Sequence, residues 1–237
     1  MHGNIADINK SKSVVRLSNL KKFRNAKIIY CPPYTLLNTF YERVKNSNIS
    51  IGAQNCHSNS EYGAFTGSVN AKLIKSSGAK FVILGHSENR KNGENDLIIN
   101  KKIHSVLKEN LNVIFCIGET LTEKKNKKTY SVLKKQITKG LKGIKKINNL
   151  MIAYEPVWSI GTGLIPNNLE LLKNVSNIKK IFKKFKKSSS IKILYGGSVN
   201  PKNIRELAQI KAINGFLVGG ASLNSKKFID IIKKTIN

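Results

Sequence analysis

Several things are scarce in this chain of 237 residues. Its three cysteines, Cys31, Cys56 and Cys116, are odd in number and lack metal-ligand spacing. That gives no metal site and fits reduced thiols in a cytosol better than a disulfide framework. No apolar run approaches the ~18 residues of a membrane span, and the opening "MHGNIADINK" lacks the apolar stretch of a secretory signal. A cytoplasmic, soluble protein without a membrane partner is expected. Acidic side chains are few, 13 against 42 basic ones, for a formal charge of +29. Such an excess attracts polyanions and phosphorylated small molecules. However, only five of the basic residues are Arg, and the lysines are scattered, as in "LKKQITKGLKGIKK". No basic platform studded with aromatics appears, so no specific nucleic-acid binding is expected.

What is present is a rhythm. Short apolar runs recur with helical segments between them: "KIIYC" (27–31), "ISIGAQN" (49–55), "KFVILGH" (80–86), "NVIFCIG" (112–118), "LMIAYEP" (150–156), "IKILYGG" (191–197) and "GFLVGGA" (215–221). Nearly continuous apolar runs suit strands covered on both faces. Between them, Leu171, Val175, Ile178, Phe182 and Phe185 fall on one helical stripe with lysines opposite. "PKNIRELAQI" opens with a proline suited to a first helical position. Alternation of strand and helix predicts a parallel sheet. Seven runs plus a weaker eighth candidate in "MHGNIADI" predict an α/β fold, a closed (β/α)8 barrel with a shortened or degenerate first strand. No linker divides the chain, so one domain over residues 1–237 is expected.

In such a barrel, side chains just past the carboxyl ends of the strands converge on one mouth. The sequence places His86, Glu119, Glu155, Gly196-Gly197-Ser198 and Gly219-Gly220 there. A His beside a Glu can move protons, and glycine-rich turns can offer N–H groups to a phosphate. In "YEPVWSIGTG" the acid precedes a proline and the only tryptophan, and Gly161 and Gly163 come after them. Proline stiffens the backbone after Glu155, while the glycines permit close approach or hinging.

At these residues the chain resembles the triosephosphate isomerases. The likeness runs through "CPPYTLL", "GAQNCHSNSEYGAFTG", "VILGHSENR", "CIGET", "AYEPVWSIGTG", "YGGSVNP" and "GFLVGGASL", in order and at matching intervals. It implies a homodimeric barrel that interconverts dihydroxyacetone phosphate and glyceraldehyde 3-phosphate without a cofactor. The roles come with the family: Glu155 as the base, a neutral His86 polarising the carbonyl, and a lid over 156–166 that excludes water. Gly161, Ser198, Gly219 and Gly220 would hold the phosphate. Glu88, Cys116, Tyr195 and Glu119 would support the site, with Glu88 equally suited to pairing with a lysine or Arg90. Thr66 would approach the partner's site on a dimer loop.

Two departures accompany the resemblance. Family members carry "GNWKMN" in the first strand, with a lysine that contacts substrate. Aligning Gly3-Asn4 with it makes Asn4 a substrate contact and leaves Ala6 or Asp7 at the lysine position, with Lys10 and Lys12 nearby. Lower efficiency is then expected, or alternatively a degenerate barrel that keeps phosphate binding or an interaction role. In the lid, Pro166 has no N–H for the hydroxyl of Tyr195, so a less firmly held lid is expected.

Overall fold

In the computed structural model, which describes residues 3–145, 147–186 and 191–236, each of the seven apolar runs contains a strand. They are β1 (Ile28–Tyr30), β2 (Ile49–Ala53), β3 (Phe81–Leu84), β4 (Asn112–Ile117), β5 (Leu150–Tyr154), β6 (Lys192–Tyr195) and β7 (Gly215–Phe216). All pair in parallel in chain order, β1 beside β2 through to β6 beside β7. Parallel neighbours need crossovers, and the intervening helices supply them.

Residues alternate between the two faces of the sheet, as strand geometry requires. Phe81, Ile83, Ile114, Cys116 and Ala153 form an inner cluster, with Ile29, Met151, Leu194 and Leu217 packed against it. Val82, Leu84, Val113, Phe115, Ile152 and Ile193 face outward into the larger core under the helices. The stripe read from the sequence is that core's helical side: Leu171, Val175, Ile178 and Phe182 are buried on the helix Asn168–Lys186, and Phe185 is partly buried.

The amino-terminal segment departs from expectation. Ile5–Ile8 is a helix, continued by a turn of 3-10 helix and the helix Lys12–Ser18. Within it Ile8 enters the core and Ile5 is 75% exposed. The Asp7 carboxylate accepts the Asn4 N–H at 2.8 Å, a local bond that favours a helix start. Ala6 and Asp7 are therefore helical and do not occupy a strand position for a lysine. Among the described residues no strand pairs with the free edges of β1 and β7. The last helix, Ser225–Ile236, spans that side: it packs on the helix Lys12–Ser18, and Phe228 meets Tyr30 edge-on at 5.4 Å. A cavity of about 1640 Å³ runs beneath it from the mouth to Lys27 and Lys192 at the opposite rim.

Two smaller differences have local causes. Pro201 lies ahead of a short helix, Ile204–Ala208, because the Asn200 side chain accepts the N–H groups of Lys202 and Asn203 and holds a turn there. β7 is two residues long, against seven read from the sequence, since only one of its edges is paired.

Continuing the alternation past the strand ends puts Gly118, Glu155 and Gly196 in the same inward layer. A Cβ on Gly118 would lie 1.7 Å from the Glu155 carbonyl oxygen, whereas one on Gly219 would meet nothing within 4 Å. Gly118→Ala is expected to destabilise the protein by roughly 3 kcal/mol or more, and Gly219→Ala by less than about 0.5 kcal/mol. Urea denaturation of the two variants measures the contrast.

Candidate active site

Glu155 directly succeeds the last residue of β5 and is 2% exposed. Its N–H donates to the Ile117 carbonyl at 2.8 Å, so the β4 end fixes its backbone. Gly196 leaves the room its side chain needs, since a Cβ there would fall 2.8 Å from Glu155 Cγ. Burial raises the carboxyl pKa to about 8, against partial relief from hydrogen bonds donated by the Cys116 thiol and the Ser87 backbone and from the nearby Arg90 charge.

His86 comes to the same place from β3. Gly85 turns the chain at φ +75°, and His86 caps the helix Ser87–Lys91. Nδ1 of the ring accepts the Glu88 N–H at 3.3 Å. A nitrogen that accepts cannot also carry the proton, so neutral His86 bears it on Nε2. That nitrogen is 3.4 Å from Glu155 Oε1. Burial lowers the imidazole pKa, opposed by the Glu88 carboxylate, and the helix N-terminus also disfavours a positive ring. A neutral imidazole donor and a carboxylate of raised pKa thus face each other, and this arrangement can shuttle a proton beside a polarised oxygen.

The same cavity is lined by Asn4, Glu88, Gly161, Ser198, Gly219 and Gly220. Gly161 lies in the lid segment at φ +72°, and Gly219 begins a short 3-10 turn, Gly220–Leu223. Glu88 Oε2 is 3.8 Å from His86 Nδ1. Arg90 does not pair with it: the guanidinium binds Asp96 at 2.7 Å and the carbonyls of Gly85 and Cys116 at 2.8 and 3.2 Å. Lys10 also lines the cavity, paired with Asp7; Lys12 is not among the lining residues.

Supporting residues act from beneath. Cys116 is fully buried in the inner cluster, and desolvation chiefly, then Glu155, hold its thiol pKa well above the ordinary value. All three cysteines are free. Buried Glu119 accepts the Trp158 indole N–H at 3.0 Å and the Val157 N–H on its carbonyl at 2.9 Å, which ties down the first hinge of the lid. The Lys124 ammonium sits 3.6 Å over the Trp158 ring and pairs with Glu170 at 2.7 Å. Thr66 stands apart, exposed in the loop 57–69, and is not among the cavity-lining residues.

The family model for triosephosphate isomerase matches residues 1–235. The chain belongs to the triosephosphate isomerase family. It is 42% identical over 216 residues to the triosephosphate isomerase of Thermodesulfovibrio yellowstonii, covering 90% of this chain and 87% of the relative. The enzyme of the same name from Carboxydothermus hydrogenoformans is 42% identical over 226 residues, 93% and 90% of the two chains. The crystal structure of triosephosphate isomerase from Bartonella henselae superposes with a TM-score of 0.88 at 32% identity, covering 100% of this chain and 96% of that one. The fold is therefore the TIM barrel, and the chain is an enzyme that isomerises triose phosphates, a glycolytic reaction. The degenerate, non-catalytic alternative is not favoured by these likenesses.

Sequence reading missed four elements of this isomerase site: the Ser87 N–H on Glu155, the Arg90 clamp, the Lys124 contact on Trp158, and Ser159. The first is a backbone group with no side-chain signature, and the other three depend on distant segments. No helix among the described residues is long and apolar enough to cross a membrane.

The raised pKa of Glu155 makes stability depend on pH. Below about pH 4.5, the ordinary value for the unfolded chain, both states hold the proton and the group contributes no difference. Between 4.5 and about 8 only the unfolded chain releases it, so folding stability falls as pH rises; above 8 the loss is constant. Glu155→Gln is expected to match the parent near pH 4 and to exceed it by on the order of a few kcal/mol at pH 8. Urea melts across that range check the slope, and parallel profiles would show that burial does not hold the proton on.

Proposed function

We propose that Glu155 removes a proton from one carbon of dihydroxyacetone phosphate and returns it to the neighbouring carbon, yielding D-glyceraldehyde 3-phosphate. Neutral His86 donates its Nε2–H to the substrate oxygen and stabilises the enediolate between the two transfers. The observation that carries this reading is the meeting of His86 Nε2 and Glu155 Oε1 at 3.4 Å in a buried mouth. Gly161, Gly219 and Gly220, which line the same cavity, supply backbone donors to the phosphate, with Ser198, whose N–H lies 3.3 Å from Ser159 Oγ, beside them. Asn4 borders the pocket from the helical amino-terminal segment.

The lid over 156–166 keeps water from the enediolate, which would otherwise expel its phosphate. No cofactor or metal enters the steps. Lower efficiency is part of this reading: helical Ala6 and Asp7 supply no cation in place of the first-strand lysine, and Lys10, which lines the cavity, is paired with Asp7.

The working unit is a homodimer. The loop 57–69 is closed at its base by the His57 N–H on the Val69 carbonyl at 2.8 Å and braced by His57 stacked on Phe65 at 4.7 Å. It holds Tyr62 68% and Phe65 40% exposed beside Thr66, apolar area of a kind normally covered by a partner. Thr66 then completes the neighbour's site.

Glu155→Asp, which withdraws the carboxylate by one methylene, is expected to lower kcat roughly 10²-fold or more with KM little changed. Steady-state assays in both directions check it; unchanged turnover would remove Glu155 as the base. Tyr62→Asp combined with Phe65→Asp is expected to give a monomer in sedimentation velocity that has lost most activity, and a monomeric parent protein of full activity would refute the dimer.

A further inference from the structure

One hydroxyl inside the lid has a role that neither the base nor the phosphate contacts require. Ser159, in the 3-10 turn Val157–Ser159, is fully buried. Its Oγ donates to the Leu164 carbonyl at 2.5 Å, which uses its only hydrogen. The two remaining contacts must then be accepted: the Ser198 N–H at 3.3 Å and the Tyr195 hydroxyl at 3.1 Å. Ser198 reinforces the junction, its hydroxyl donating to the Ser159 carbonyl at 2.8 Å and accepting the Gly163 N–H at 3.0 Å. Gly197 is shaped around the pair, since a Cβ there would fall 2.2 Å from the Tyr195 hydroxyl and 2.6 Å from Ser159 Oγ.

Tyr195 is fully buried at the end of β6, and its hydroxyl needs a partner. We infer that Ser159 is the positioning residue that latches the lid to β6 in this chain, its hydroxyl receiving the Tyr195 phenol from within the lid. The phenol is the donor, and the hydroxyl that receives it joins the Leu164 carbonyl, the Ser198 backbone and β6 at one point. Adjacent Gly196 touches Glu155, so the latch lies next to the base through the 196–197 turn. This inference rests on the proposed lid but not on Glu155 as the base.

The test compares the parent, Ser159→Ala and Ser159→Thr. Release of inorganic phosphate relative to isomerisation is measured, together with affinity for 2-phosphoglycolate tracked by Trp158 fluorescence. Thermal melts confirm folding. Ser159→Ala is expected to weaken 2-phosphoglycolate and raise phosphate release per turnover, each roughly tenfold, while Ser159→Thr stays within about threefold of the parent. Unchanged partition and affinity in Ser159→Ala would overturn the latch. A failure of Glu155 as base would appear as unaltered turnover in Glu155→Asp and would leave the ligand-affinity comparison intact.

Discussion

The structure turns on one buried carboxylate. Taking a charge out of water is costly unless hydrogen bonds or opposite charges replace the lost hydration. Glu155 has the Ser87 N–H, the Cys116 thiol and the field of Arg90, and these leave its pKa near 8. With a pKa near 8 the group holds its proton in the free protein at neutral pH, and the fraction able to accept one from a substrate grows as pH rises through that value. The neighbouring layer is arranged to permit the burial: Gly118 and Gly196 give the Glu155 backbone and side chain space that any Cβ would remove.

His86 answers the same constraint from the opposite sign. A protonated imidazole 3.4 Å from Glu155 would form an ion pair with it and hold the carboxylate charged. The helix that begins at Ser87 prevents this by offering the Glu88 N–H to Nδ1, and burial adds to the effect. The same turn also sends the Ser87 N–H to Glu155. One helix start therefore sets the protonation of both partners, and Arg90 anchors it by binding Asp96 and the Gly85 and Cys116 carbonyls.

The segment 156–166, the proposed lid, joins this centre through buried polar groups at its start and in its body. Glu119, with Tyr154 and Trp158 on its carboxylate, holds the first hinge, and Ser159 with Tyr195 and Ser198 holds the body. Because these groups lie at the ends of β4, β5 and β6, the register of the sheet determines whether the lid can seat. In the parallel ladder Cys116 stands beside Ala153 and Ala153 beside Leu194, which brings Gly118, Glu155 and Gly196 level two residues further on.

The amino-acid pattern alone dictated the parallel strand–helix alternation, the seven strands, and the placing of His86, Glu155 and the glycine turns just past strand ends. Local rules suffice for these: buried parallel strands are continuously apolar, and the residues immediately beyond each strand gather at one mouth. The pattern did not dictate the conformation of residues 5–8, where two isoleucines allow either period and only packing shows that Ile8 alone enters the core. Nor could it pair Arg90 with Asp96 rather than Glu88, place Lys124 on Trp158, or bring Ser159 to the Tyr195 hydroxyl. Most of these contacts join segments well apart in the chain, and nothing in the local pattern of either segment encodes which group will lie within bonding reach once the sheet has curled.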